Sequence, residues 1–197
     1  MKISVMLVAL FLTLSSASLS TASIIVTAVQ QGNDVVFTGS GSINLYGLTL
    51  QYTDNIAFPP TAFLDAGNPG LILGSGVGDH YNSISNAPYN FGPGTGGSES
   101  ASAYSGNMFG FNYGQVVVPS GYTSGSPLSG TATFSNKTFA DIGITPGAYT
   151  WTVPSGDSIT LNITSSAVPE PSTYALLCIS LGVVGYARKR MNLIGNC

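Results

Sequence analysis

Apolar and polar positions alternate over short distances along the body of this chain, and the apolar runs are rich in β-branched and aromatic residues. Ile24-Ile25-Val26-Thr27-Ala28-Val29 is the first run and Asp34-Val35-Val36-Phe37-Thr38 the second. Gln31-Gly32-Asn33 between them predicts a hairpin turn, because Gly and Asn tolerate the left-handed backbone that tight hairpins need. From residue 157 to 163 the period is two, with Ile159, Leu161 and Ile163 on one face and Ser158, Thr160 and Asn162 on the other. That alternation predicts a half-buried antiparallel strand. Further strands are expected at 42–45, 48–52, 62–64, 71–73, 109–113, 115–118, 130–134 and 148–153. Many short strands with turn signals predict an all-β fold, an antiparallel β-sandwich or jelly-roll-like ectodomain over residues 23–166. Residues 65–130 read as looser. Gly74-Ser75-Gly76-Val77-Gly78 and Gly92-Pro93-Gly94-Thr95-Gly96-Gly97 predict long Gly-rich surface loops there.

Two longer apolar runs lie near the ends. Lys2 precedes an apolar stretch over 3–14, and Ser15, Ser16, Ala17 and Ser18 follow it. This order predicts an N-terminal signal helix within residues 1–22, too short to span a bilayer comfortably. Ser20-Thr21-Ala22 offers small side chains where signal peptidase reads, which places the cut after Ala22; a cut after Ala17 or Ser18 is the alternative. Residues 174–187 are apolar and end on Arg188, Lys189 and Arg190. As a helix this stretch is about 21 Å long, against a hydrocarbon core of about 30 Å. A short transmembrane helix of this kind thins the bilayer or borrows length from its flanks while the cations snorkel. The basic cluster holds its end on the cytoplasmic side, which puts the domain across the membrane. Residues 191–197 form a tail.

Charge sharpens this layout. Only 7% of the 197 residues are charged, against about 25% in an average soluble domain. Of the five Lys and Arg residues, only Lys137 lies between the two end segments, which excludes a nucleic-acid footprint. Neither of the two Cys residues falls within 23–166, so that domain must stand in an oxidising compartment on its core alone. A domain of this size buries about 68–70% of its surface, enough to do so.

The order Ala167-Val168-Pro169-Glu170-Pro171-Ser172-Thr173, short apolar helix, basic cluster resembles the PEP-CTERM sorting signal of Gram-negative bacteria over residues 167–190. The resemblance implies that Pro169, Glu170 and Pro171 are the triplet recognised by exosortase, a membrane cysteine transpeptidase. It implies too that Arg188, Lys189 and Arg190 are the basic end, and that the tail is removed or replaced during sorting. The chain departs from that pattern by continuing from Met191 to Cys197 and by carrying Cys178 within the helix. The residues support the assignment on their own terms. Pro169 and Pro171 lack backbone donors and push the residues before them into extended backbone, which suits a protease-like cleft. Residues 34–45, 118–134 and 147–151 also resemble the β-rich ectodomain that often precedes this tail, which implies extracellular placement and adds no catalytic residue.

Candidate chemistry is sparse. His80 is the sole imidazole and follows Asp79. Neighbours in a strand point to opposite faces, so Asp79 is badly placed to orient it. No Gly-x-Ser-x-Gly elbow is present, and His80 is expected in a solvated loop. The acids of the domain fall in no glycosidase or calcium motif. The Gly-rich runs lack the Lys of a phosphate cradle. Phe109, Phe111 and Trp151 are expected in the core, whereas Tyr81 and Tyr89 are candidates to stack on sugar rings. No catalytic, cofactor or metal residue is assigned.

The expected function is therefore that of an exported, non-enzymatic surface or extracellular-matrix protein, associated with exopolysaccharide or biofilm. Signal peptidase and exosortase are its processing partners, and the inner membrane holds it transiently before the cell surface or exterior. A carbohydrate-binding module for exopolysaccharide is the alternative, and a secreted hydrolase with a paired-carboxylate site a more distant one.

Overall fold

The computed structural model describes residues 22–55, 61–82, 84 and 88–165. The expected signal helix and transmembrane helix lie outside the described residues. Thirteen strands follow in chain order: β1 (Ser23–Gln31), β2 (Asp34–Gly41), β3 (Thr49–Thr53), β4 (Thr61–Asp65), β5 (Gly70–Ser75), β6 (Gly78–Asn82), β7 (Glu99–Ser100), β8 (Ala103–Gly106), β9 (Phe109–Asn112), β10 (Gln115–Pro119), β11 (Leu128–Phe134), β12 (Gly147–Thr152) and β13 (Ser158–Thr164). No helix occurs among the described residues. One sheet has six strands in the order β12-β13-β1-β2-β11-β8, and the other has seven in the order β3-β6-β10-β9-β5-β4-β7.

The hairpin of β1 and β2 closes as its sequence dictates. Gln31 faces Asp34, and Gly32 alone of the two turn residues has positive φ, at +62°. That is the requirement of a type II′ turn, whose twist matches that of the strands.

Alternation then decides burial. Ile24, Val26 and Ala28 of β1, Val35 and Phe37 of β2, and Ile159, Leu161 and Ile163 of β13 all point inward and are buried. They meet Leu71, Leu73, Phe109, Phe111, Val116 and Val118 of the second sheet in one core. Two glycines let the sheets approach. Gly39 and Gly130 face each other across the β2–β11 ladder. A Cβ on Gly39 would lie 2.5 Å from Leu73 Cδ1 and 3.0 Å from Phe109 Cζ, both on the opposite sheet.

Three expectations are corrected. The strand expected at 157–163 pairs antiparallel with β12 but parallel with β1, because the first and last strands of the domain lie side by side and run the same way. Residues 42–45 form no strand. Their backbone N–H groups are taken singly by Ser23 O, Tyr122 Oη, Asp157 Oδ2 and Ser124 Oγ, so the segment needs no ladder to satisfy its donors. The region 65–130 carries more strand than expected. It contains β5 to β10, and Gly74 lies within β5 while Gly78 opens β6. Of the two Gly-rich runs, only that from Gly92 to Gly97 lacks strand, as expected.

The outer face of the six-stranded sheet is as regular as its inner one. Ser105, Thr131, Thr38, Thr27 and Asn162 fall in one line across five strands. Hydroxyls pair between strands, Ser105 Oγ with Thr131 Oγ1 at 2.9 Å and Thr150 Oγ1 with Thr160 Oγ1 at 3.2 Å. The one charged residue in these six strands is Asp34, at the turn end of β2.

Candidate functional site

The residues that carry the expected sorting chemistry, Pro169, Glu170, Pro171, Arg188, Lys189 and Arg190, lie outside the described residues. The domain nevertheless fixes where they begin. β13 ends at Thr164, and four residues separate it from Pro169, a reach of about 17 Å at full extension. Because β1 and β13 are parallel, Ser23 lies beside Ser158 at one end of the sheet and Thr164 beside Val29 at the other. The segments before β1 and after β13 therefore join the domain at opposite ends.

Ala22, the expected cleavage residue, is half-buried just ahead of β1. It borders a shallow open depression with Asn44, Ser124, Gly125 and Asp157. Two loops are sewn together around this depression. Ser124 Oγ donates to Asn44 Oδ1 at 3.0 Å while accepting from Leu45 N–H at 2.7 Å. Gly125 N–H donates to Ile43 O at 2.9 Å. Tyr122 Oη accepts from Ile43 N–H and donates to Ser126 O at 2.6 Å. Asp157 is buried, 4% exposed, and its Oδ2 accepts the Asn44 N–H at 2.6 Å.

His80 is not in a solvated loop. It sits in β6, with β3 on one side and β10 on the other, and is 4% exposed. Its neighbour across the β6–β10 ladder is Val117, which belongs to a small apolar cluster with Ile72, Met108 and Phe63. Nε2 meets Asp54 Oδ1 at 3.0 Å, and Asp54 Oδ2 accepts Gly78 N–H at 2.9 Å. The Tyr52 ring lies flat on the imidazole, centroids 4.2 Å apart and planes 15° from parallel. Burial, and then the negative charge of Asp54, push the Tyr52 phenol above its usual value. Asp79 turns away, as strand alternation requires: it accepts from Thr53 Oγ1 at 2.6 Å and from Gly121 N–H at 2.9 Å.

This is not the geometry of a hydrolase base. Such a base needs one ring nitrogen on an orienting carboxylate and the other on a nucleophilic hydroxyl. Here Nε2 is on the carboxylate, whereas Nδ1 is buried with no hydrogen-bond partner. β6 reads Gly-Asp-His-Tyr-Asn, which has no apolar alternation to mark it as a strand. Among the described residues no three His, Cys, Asp or Glu side chains gather as a metal site would need.

The aromatics divide as expected for Phe109, Phe111 and Trp151, which are buried. Tyr89 is 94% exposed, while Tyr81 packs partly against the core. Tyr52, overlooked in the sequence, is a ring that is half-exposed and held in place by stacking.

Residues 167–190 match the family model of the PEP-CTERM protein-sorting motif. The motif implies an exported protein that is sorted to the cell surface by membrane-associated exosortase. No curated protein matches the chain, and no solved structure matches it.

Proposed function

We propose that the mature chain is a non-enzymatic protein of the cell surface or extracellular matrix. In this reading signal peptidase removes residues 1–22, and residues 23–166 form the ectodomain. The helix at 174–187 and the cluster Arg188, Lys189, Arg190 hold the chain in the inner membrane until exosortase acts at Pro169-Glu170-Pro171. Residues 191–197 leave with the tail. The sorting motif behind a β domain carries the reading. The engaged, buried His80 supports the absence of triad chemistry.

The test is the intact mass and location of the product in cells with and without exosortase, for the native chain and for Pro169→Ala/Pro171→Ala. The native chain should lose its tail only when exosortase is present, and the double variant should keep it. Normal tail removal from the variant would refute the role of the triplet.

A second reading, binding of a neutral polysaccharide such as exopolysaccharide, is favoured by one observation. Tyr52 presents an exposed ring already immobilised on His80, and a rigid aromatic face suits stacking at low entropic cost. Glycan-array binding by the exported protein that disappears in Tyr52→Ala would support it. No binding to any neutral glycan would remove it.

A further inference from the structure

We propose that the depression at Asp157 is a receptor for the chain's own new amino terminus, the α-ammonium of Ser23 released when the leader is cut after Ala22. The inference rests on the reading that the leader ends at Ala22.

Among the described residues no cation faces the Asp157 carboxylate. Asp157 is 4% exposed, and one backbone N–H, from Asn44, is bonded to its side chain. A buried carboxylate is costly unless hydrogen bonds or a cation compensate it. The only Lys or Arg among the described residues is Lys137, and it is engaged with Glu99 at 3.7 Å. The one imidazole is engaged with Asp54. No side chain of the domain is therefore available to neutralise Asp157.

The register supplies a cation from elsewhere. Ser23 is paired in parallel with Ser158, the residue after Asp157. Ala22 forms part of the wall of the depression that Asp157 lines. Signal peptidase adds one water across the Ala22–Ser23 amide: the carboxylate leaves with Ala22, and the Ser23 nitrogen takes up a proton to become an ammonium. Removing Ala22 takes away one wall and leaves that ammonium beside Asp157. An ammonium–carboxylate hydrogen bond in a partly desolvated pocket is among the stronger polar contacts a fold can make. The ion pair can form only after export, so processing itself completes the domain.

The test uses the exported, processed protein. N-terminal sequencing first establishes the new terminus; a mature chain starting anywhere but Ser23 overturns the cleavage position and the docking with it. With Ser23 established, acylation near neutral pH reads the terminus, because α-amines react ahead of Lys there. The native amine should react about tenfold more slowly than in urea-unfolded protein, since a paired ammonium resists deprotonation. In Asp157→Asn that protection should be lost. Acylation and Asp157→Asn should each shift thermal unfolding downward, and the two shifts should not add. Equal reactivity in the folded and unfolded native chain, a measurement that needs no variant, would overturn the proposal; so would additive shifts.

Discussion

Trp151 and Phe111 stack with ring centroids 3.9 Å apart and planes 29° from parallel, and they come from opposite sheets. Phe91 closes on both rings edge-on, at 6.3 and 6.0 Å. Sheet-to-sheet adhesion at this end of the core thus runs through three aromatic rings. Trp151→Ala should lower stability by about 3–5 kcal/mol, the usual cost of emptying a buried aromatic site. Urea denaturation followed by circular dichroism checks this, since Trp151 is the sole tryptophan and the variant has no indole signal. A loss below 1 kcal/mol would mean that the sheets do not depend on this contact.

The glycine pair between the sheets makes the opposite prediction, overpacking. In Gly39→Val the new side chain must displace Leu73, Phe109 and Val26 at once. A cost of about 1–3 kcal/mol is expected. Denaturant midpoints for Gly39→Val against a surface control such as Gly97→Val, where a Cβ meets nothing, separate packing from the general effect of losing glycine.

Asp79 ties stability to acid. Burial raises its carboxyl pKa, but hydrogen bonds from Thr53, Gly121 and Ser120, with the nearby His80, outweigh that and leave it below the ordinary value. A carboxyl lowered on folding stabilises above its unfolded value of about 3.9. That stability is lost as pH falls through the lower folded value, because the unfolded chain binds the proton first. Unfolding temperatures measured from neutral into acid should fall more gently for Asp79→Asn than for the native protein. The two curves should also converge at the acid end. Parallel curves would dissociate Asp79 from the acid limb.

Tyr122→Phe tests the loop at 42–45. The phenol accepts from Ile43 N–H and donates to Ser126 O, so its removal leaves a backbone donor without its partner. A loss of about 1–3 kcal/mol is expected, together with faster amide exchange at Ile43, readable by hydrogen exchange.

The two-residue period of β13 and the Gly-Asn turn of the first hairpin were legible because they depend on neighbours in sequence. Buried Phe109, Phe111 and Trp151 followed from residue type. What escaped depends on residues far apart. The 42–45 segment looks like a strand, yet its donors are met by side chains from 122, 124 and 157. β6 has no apolar pattern, because its burial comes from strands on both sides and its histidine is satisfied by a hydrogen bond to Asp54. The parallel neighbour of β13 was invisible for the same reason, since nothing in one strand specifies which partner lies on its far edge. The C-terminal motif was legible for the converse reason. Its residues follow one another in the sequence, so its order is local.

β13, the strand from which the tail departs, is held on both sides, by seven residue pairs to β1 and six to β12. Tension drawn through the C-terminus therefore pulls along this strand's own axis. Its hydrogen bonds are sheared together instead of being peeled open in sequence. A domain whose last strand is clamped on both sides in this way meets a pull on that strand at a mechanically resistant point.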